Sequence, residues 1–96
     1  MRRAAKIDAN QTQVVKALRA AGAVVHSLAA VGNGIPDLLI AFRGQTMLME
    51  IKDGAKVKSK QALTPAQVDF HRAWVGGPLS VVDSPEAALR AIGCIK

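Results

Sequence analysis

The chain has 96 residues, 50% of them hydrophobic and 21% charged, enough for one domain with a single modest core and too apolar for a disordered segment. Thirteen Lys and Arg against seven Asp and Glu leave a net charge of +6, which suits either plain solubility or a polyanionic partner such as nucleic acid. The single cysteine, Cys94, excludes an internal disulfide and a cysteine-rich zinc site. The N-terminal MRRAAK lacks the apolar run of a signal peptide, and no apolar stretch reaches the length of a membrane span. The expectation is a soluble cytoplasmic protein with no membrane role.

In chain order, Val14, Val15, Leu18 and Ala21 recur at helical spacing and predict a helix from about Asp8 to Gly22. Asp8 with Gln11, or Asn10 with Gln13, supplies a capping box at its start. A short strand follows over Ala23-Val24-Val25-His26-Ser27-Leu28, then a turn at Gly32-Asn33-Gly34. Leu38-Leu39-Ile40-Ala41-Phe42 and Met47-Leu48-Met49 flank Arg43-Gly44-Gln45 and predict a hairpin. Residues 53–61, with Lys56, Lys58 and Lys60, read as an exposed basic loop.

Thr64-Pro65-Ala66-Gln67 opens a second helix, with Thr64 as N-cap, Pro65 in the first turn and Gln67 at the capping-box position. That helix is expected to carry Phe70, Ala73 and Trp74 inward and to end at Gly76-Gly77-Pro78. A last strand over Leu79-Ser80-Val81-Val82 leads to a third helix, capped by Ser84-Pro85-Glu86 and closed by Gly93. The predicted order is αβββαβα: one α/β domain over residues 1–96, a mixed sheet flanked by helices.

The hairpin raises the functional question, because Asp37, Glu50 and Lys52 sit at the ends of runs otherwise suited to a core. A two-residue Arg43-Gly44 loop pairs Phe42 with Gln45 and sets Asp37 opposite Glu50; a Gly44-Gln45 loop sets Asp37 opposite Lys52. In both registers the three share one sheet face, since alternate residues of a strand point the same way; a three-residue loop would reverse this unless a bulge corrected it. Two carboxylates facing each other repel, and burial raises the cost further. A divalent cation removes both penalties. Two carboxylates, water and a phosphate oxygen are the hard ligands that Mg²⁺ prefers, while a neighbouring lysine neutralises charge developing on a phosphate. The bland alternative is a strand end with a Glu–Lys pair and a turn aspartate after Pro36.

Gly34-Ile35-Pro36-Asp37, Glu50-Ile51-Lys52 and Gln67 in the next helix together resemble the PD-(D/E)XK nuclease superfamily, and within it the small stand-alone VRR-NUC type of phages and bacteria. The resemblance covers about Asp8 to Ile92. It implies metal-dependent hydrolysis of DNA phosphodiester bonds by an endonuclease using Mg²⁺ or Mn²⁺, in a bacterial cell or a phage-infected host. Asp37 and Glu50 would bind the metal with the backbone carbonyl of Ile51; Lys52 would be the catalytic lysine and Gln67 its supporting glutamine. Small members are associated with homodimers acting on branched DNA such as four-way (Holliday) junctions. Where such nucleases carry an acid on the first helix, this chain has Gln11, which serves either as a supporting residue at the metal or as the capping partner of Asp8. Gln67 has the same two readings.

Lys56, Lys58 and Lys60, following directly on Lys52, lie where a DNA backbone would run; the alternative is a solvated loop. Trp74 reads as a core anchor, and His26 and His71 as partly buried or surface histidines, with peripheral substrate contact open to His71, one turn after Gln67. Two rivals to the branched-DNA endonuclease are a non-catalytic DNA-binding module with a degenerate site, favoured by Gln11, and a nuclease directed by a partner protein.

Overall fold

A computed structural model describes residues 9–52 and 62–96. The elements follow the expected order: α1 (Ala9–Ala20), β1 (Val24–Ser27), β2 (Leu38–Phe42), β3 (Gln45–Ile51), α2 (Pro65–Ala73), β4 (Leu79–Val82) and α3 (Pro85–Ala91). Their strands form one sheet in the order β1-β2-β3-β4, antiparallel from β1 to β3 and parallel between β3 and β4. Connection dictates this mixture. A tight turn forces β2 and β3 antiparallel, whereas the crossover containing α2 returns the chain to the start of β4.

The hairpin takes the first of the two registers, with Phe42 paired to Gln45 and Leu38 to Met49. Arg43 and Gly44 both have positive φ, 50° and 81°, the type I′ geometry whose twist matches that of the flanking strands. Glycine adopts this conformation freely; Arg43 does not, and its guanidinium lies 4.7 Å from the Phe42 ring centroid, a cation–π contact that offsets part of the strain.

Alternation along β2 and β3 buries Leu38, Ile40, Met47, Met49 and Ile51 on one face, joined by Val25 of β1 and Val82 of β4. Val14 and Leu18 of α1 and Ala88 of α3, with Ile92 just beyond it, close the core over this face. Each fully buried Leu or Ile contributes roughly 1.5–3 kcal/mol. α1 ends as expected, with Gly22 N–H donating to Arg19 O at 3.0 Å and Ala23 N–H to Leu18 O at 3.0 Å, the Schellman pattern. The alternative capping box of Asn10 and Gln13 does not form. Asn10 lies within α1, and its amide donates to distant carbonyls. Asp8 falls outside the described residues.

The second face of the sheet carries Asp37, Glu50 and Lys52 by alternation. There α2 approaches, and Gly34 (φ 79°) lets the Gly34-Ile35-Pro36 loop press on its first turn: a Cβ at Gly34 would collide with the Ala66 carbonyl. The expectation for the far end of α2 is corrected. No residue of α2 is buried, Ala73 is exposed, and Trp74 is 38% exposed at the C-cap. Its indole stacks on Phe70 at 5.5 Å, and Nε1 donates to Gly77 O at 2.7 Å. Trp74 therefore pins the turn into β4 rather than anchoring the core, because the face of the sheet that forms the core is already covered by α1 and α3.

Candidate active site

Asp37 leaves the Pro36 loop just before β2. Its backbone carbonyl accepts from Leu28 N–H at 2.7 Å, and its Oδ2 accepts from Ile51 N–H at 2.7 Å. The side chain thus replaces the ladder bond that a main-chain carbonyl would otherwise make. Two residues past the Leu38–Met49 pair, the register sets Pro36 across from Ile51. Proline has no N–H, so the Ile51 carbonyl has no donor from that position. Lys52 N–H, in the same peptide plane, donates to Val82 O on β4 at 2.8 Å; the Ile51 carbonyl therefore points the other way, to the side of Asp37.

Glu50 is 3% exposed. Its Oε2 accepts from Gln67 Nε2 at 2.9 Å and lies 3.6 Å from Lys52 Nζ. Its Oε1 is buried with no hydrogen-bond partner. Burial, and then the charge of Asp37, push the Glu50 carboxyl from 4.5 up to about 7, against the pull of Lys52. Lys52 Nζ also donates to Gln67 Oε1 at 3.0 Å. Asp37, Glu50, Lys52 and Gln67 thus come together.

Gln67 makes the expected capping bonds and also touches Lys52 and Glu50. Thr64 Oγ1 accepts from Gln67 N–H at 3.2 Å, and Gln67 Oε1 accepts from Thr64 N–H at 2.8 Å, closing the capping box. The cap fixes the amide, with its oxygen toward Lys52 and its nitrogen toward Glu50.

The donor set fits a hard divalent cation. A buried orphan carboxylate oxygen beside a second carboxylate, with a backbone carbonyl directed to the same side, supplies three oxygen ligands and leaves positions for water or phosphate. Among the described residues no cluster of three or more His, Cys, Asp or Glu exists, so Asp37 and Glu50 are the acidic set there.

Gln11 is buried in the first turn of α1. Its neighbour Asn10 was not expected at the site. Asn10 Nδ2 donates to Lys52 O at 2.9 Å and to Asp83 O at 3.2 Å, tying α1 to the ends of β3 and β4. Sequence offers no signal for this, since both partners are remote in the chain. His71 is half-buried with Nε2 unpartnered and the ring edge-on to Phe70 at 6.5 Å; His26 is exposed on β1. Lys56, Lys58 and Lys60 lie outside the described residues.

No family model and no curated protein matches the chain. A solved structure described as a VRR_NUC domain does, at 28% identity and a TM-score of 0.64, over 85% of this chain and 88% of that one. Among the described residues no helix is long and apolar enough to cross a membrane. The fold agrees with that of this VRR_NUC domain over most of both chains, which supports reading the protein as a VRR-NUC nuclease domain of the PD-(D/E)XK type.

Proposed function

We propose that the protein is a Mg²⁺- or Mn²⁺-dependent endodeoxyribonuclease acting on branched DNA, four-way junctions included, as a homodimer. The observation that carries this reading is Glu50 Oε1, a buried carboxylate oxygen without a partner beside a second carboxylate. A group so placed costs stability unless a cation offsets it. Asp37, Glu50 and the Ile51 carbonyl would hold the ion, with Gln11 supporting from α1. When bound, the ion supplies Lewis-acid polarisation of a phosphoryl oxygen and lowers the pKa of bound water.

The remaining work falls to the chain itself. Gln67 Oε1 and Glu50 Oε2 hold the Lys52 ammonium at one place on the site face, where it neutralises charge developing on the phosphate. The net charge of +6 favours the phosphate backbone over base edges, with Lys56, Lys58 and Lys60 as its contacts. A small surface leaves shape and symmetry as the determinants of substrate choice, and two sites in a dimer suit two strands. The test compares linear, flap and four-way DNA with Mg²⁺, Mn²⁺ or EDTA, using the protein alone. Cleavage confined to branched DNA and abolished by EDTA is expected; cleavage in EDTA, or none with either metal, overturns the proposal.

A further inference from the structure

A groove runs between α1 and β1 with a cavity of about 430 Å³, its floor formed by Val15 and Val25 and its rim by Lys16, Arg19 and Ser27. One end lies at the same end of the strands as the catalytic cluster. Gln11 lines that end, next to Asn10, which holds the Lys52 carbonyl; Ser27 pairs with Leu38, the residue after Asp37. From Gln11 to Arg19 the helix rises about 12 Å, so the groove leads away from the catalytic cluster along α1.

Its charge is one-sided. Lys16 and Arg19 are exposed, and three residues apart they project to the same side. α1 contains no acid, and the ion pairs among the described residues are Lys52–Glu50 and Arg90–Glu86. Arg19 Nη2 donates to Val25 O at 2.8 Å, which orients the guanidinium and leaves most of its five N–H donors for another acceptor. Paired cations give a phosphodiester its electrostatic track, and the apolar floor buries sugar and base without an aromatic platform. A base-paired duplex is too broad to enter a cleft of this volume.

We propose that this groove holds an unpaired stretch of the strand being cut, with its phosphates on Lys16 and Arg19 and its sugar and base against Val15 and Val25. The subsite rests on the nuclease reading and narrows it to substrates with unpaired nucleotides next to the cleaved phosphate, such as flaps and open junction centres.

Binding is measured on the full chain in a Glu50→Gln background, where no cleavage intervenes, with a short fluorescent oligothymidylate and a duplex of equal length. A Lys16→Gln/Arg19→Gln double variant removes the charge, and Ser27→Tyr, at an exposed position, obstructs the groove with charge unaltered. Both should weaken single-strand binding about tenfold, and the double variant should reduce the slope of log K against log salt by about 1.4, two contacts at about 0.7 each. Duplex binding should change little with Ser27→Tyr. Because Arg19 also holds a β1 carbonyl, thermal melts accompany the double variant, and Ser27→Tyr decides alone if that variant unfolds. Single-strand binding by Ser27→Tyr equal to that of its background, or equal losses for single strand and duplex, overturns the subsite. Should the parent cut no DNA with Mg²⁺ or Mn²⁺ while Ser27→Tyr still loses single-strand binding, the nuclease reading falls and the groove stands.

Discussion

Gln67 donates from Nε2 to Glu50 Oε2 at 2.9 Å, so the residue that closes the N-terminal cap of α2 also holds the buried carboxylate. The amide is the only part of Gln67 that reaches Lys52 and Glu50 together. Gln67→Glu keeps an acceptor for Thr64 N–H but sets a third carboxylate against Glu50. Cleavage should fall at least about tenfold while α2 keeps its cap, and the metal-free protein should lose stability at neutral pH by roughly 1–3 kcal/mol. Melting curves and a cleavage time course, read together, check this; loss of the helix signal would mean the cap had failed instead.

Asp37→Asn and Glu50→Gln should each abolish cleavage and leave the fold intact. Asparagine at 37 retains an oxygen for Ile51 N–H, and glutamine at 50 removes a charge from a site 3% exposed. The metal-free Glu50→Gln protein should melt higher than the parent at neutral pH. A variant cutting at a rate near the parental one would sink the assignment.

The raised Glu50 carboxyl makes stability depend on pH. Between 4.5 and about 7 the folded protein keeps a proton that the unfolded chain has released. Stability of the metal-free protein should therefore fall as pH rises through this window and level off above it. If Glu50 holds Mg²⁺ as proposed, the ion would compete with that proton, and its affinity should climb to about pH 7 and then flatten. Urea melts of parent and Glu50→Gln across the window should show the slope in the parent only; equal slopes would assign it to other groups.

Asn10 donates its two amide hydrogens to Lys52 O and Asp83 O. Asn10→Asp has the same shape but, ionised, no donor, and it faces two carbonyl oxygens. A stability loss of about 1–3 kcal/mol is expected, with slower cleavage and unchanged binding of junction DNA, since the substrate charge contacts remain. Unaltered turnover in a destabilised variant would limit Asn10 to holding the fold.

Gln11→Glu tests the first helix. Near the metal, a third carboxylate should move the Mg²⁺ activation midpoint to lower concentration; as a capping partner alone, the substitution should leave that midpoint in place and hold or slightly raise stability. Superimposable activation curves for parent and variant would confine Gln11 to the cap.

The αβββαβα order was legible because each boundary is written in local chemistry: Gly22 after a helical stripe, Arg43-Gly44 between alternating runs, Thr64-Pro65 and Ser84-Pro85 at helix starts. The site motif was legible for a related reason. A strand's two-residue period and a two-residue turn convert sequence spacing into a shared face, which puts Asp37, Glu50 and Lys52 together on spacing alone. That reasoning left two two-residue registers and a three-residue loop open, and the observed register has positive φ at Arg43 and Gly44, with the Phe42 ring under the arginine.

Tertiary structure alone decided the rest. Trp74 carries an apolar ring that any sequence reading sends inward, yet α1 and α3 already cover the core face, and the indole is left to clamp the turn into β4. The amide of Asn10 finds its acceptors 42 and 73 residues away, and the Glu50 oxygen is buried without a partner by the packing around it. Local preferences act within a turn or two of backbone and are therefore written in neighbouring residues. Partners brought together by packing are chosen by the whole chain at once, and no short stretch of it records them.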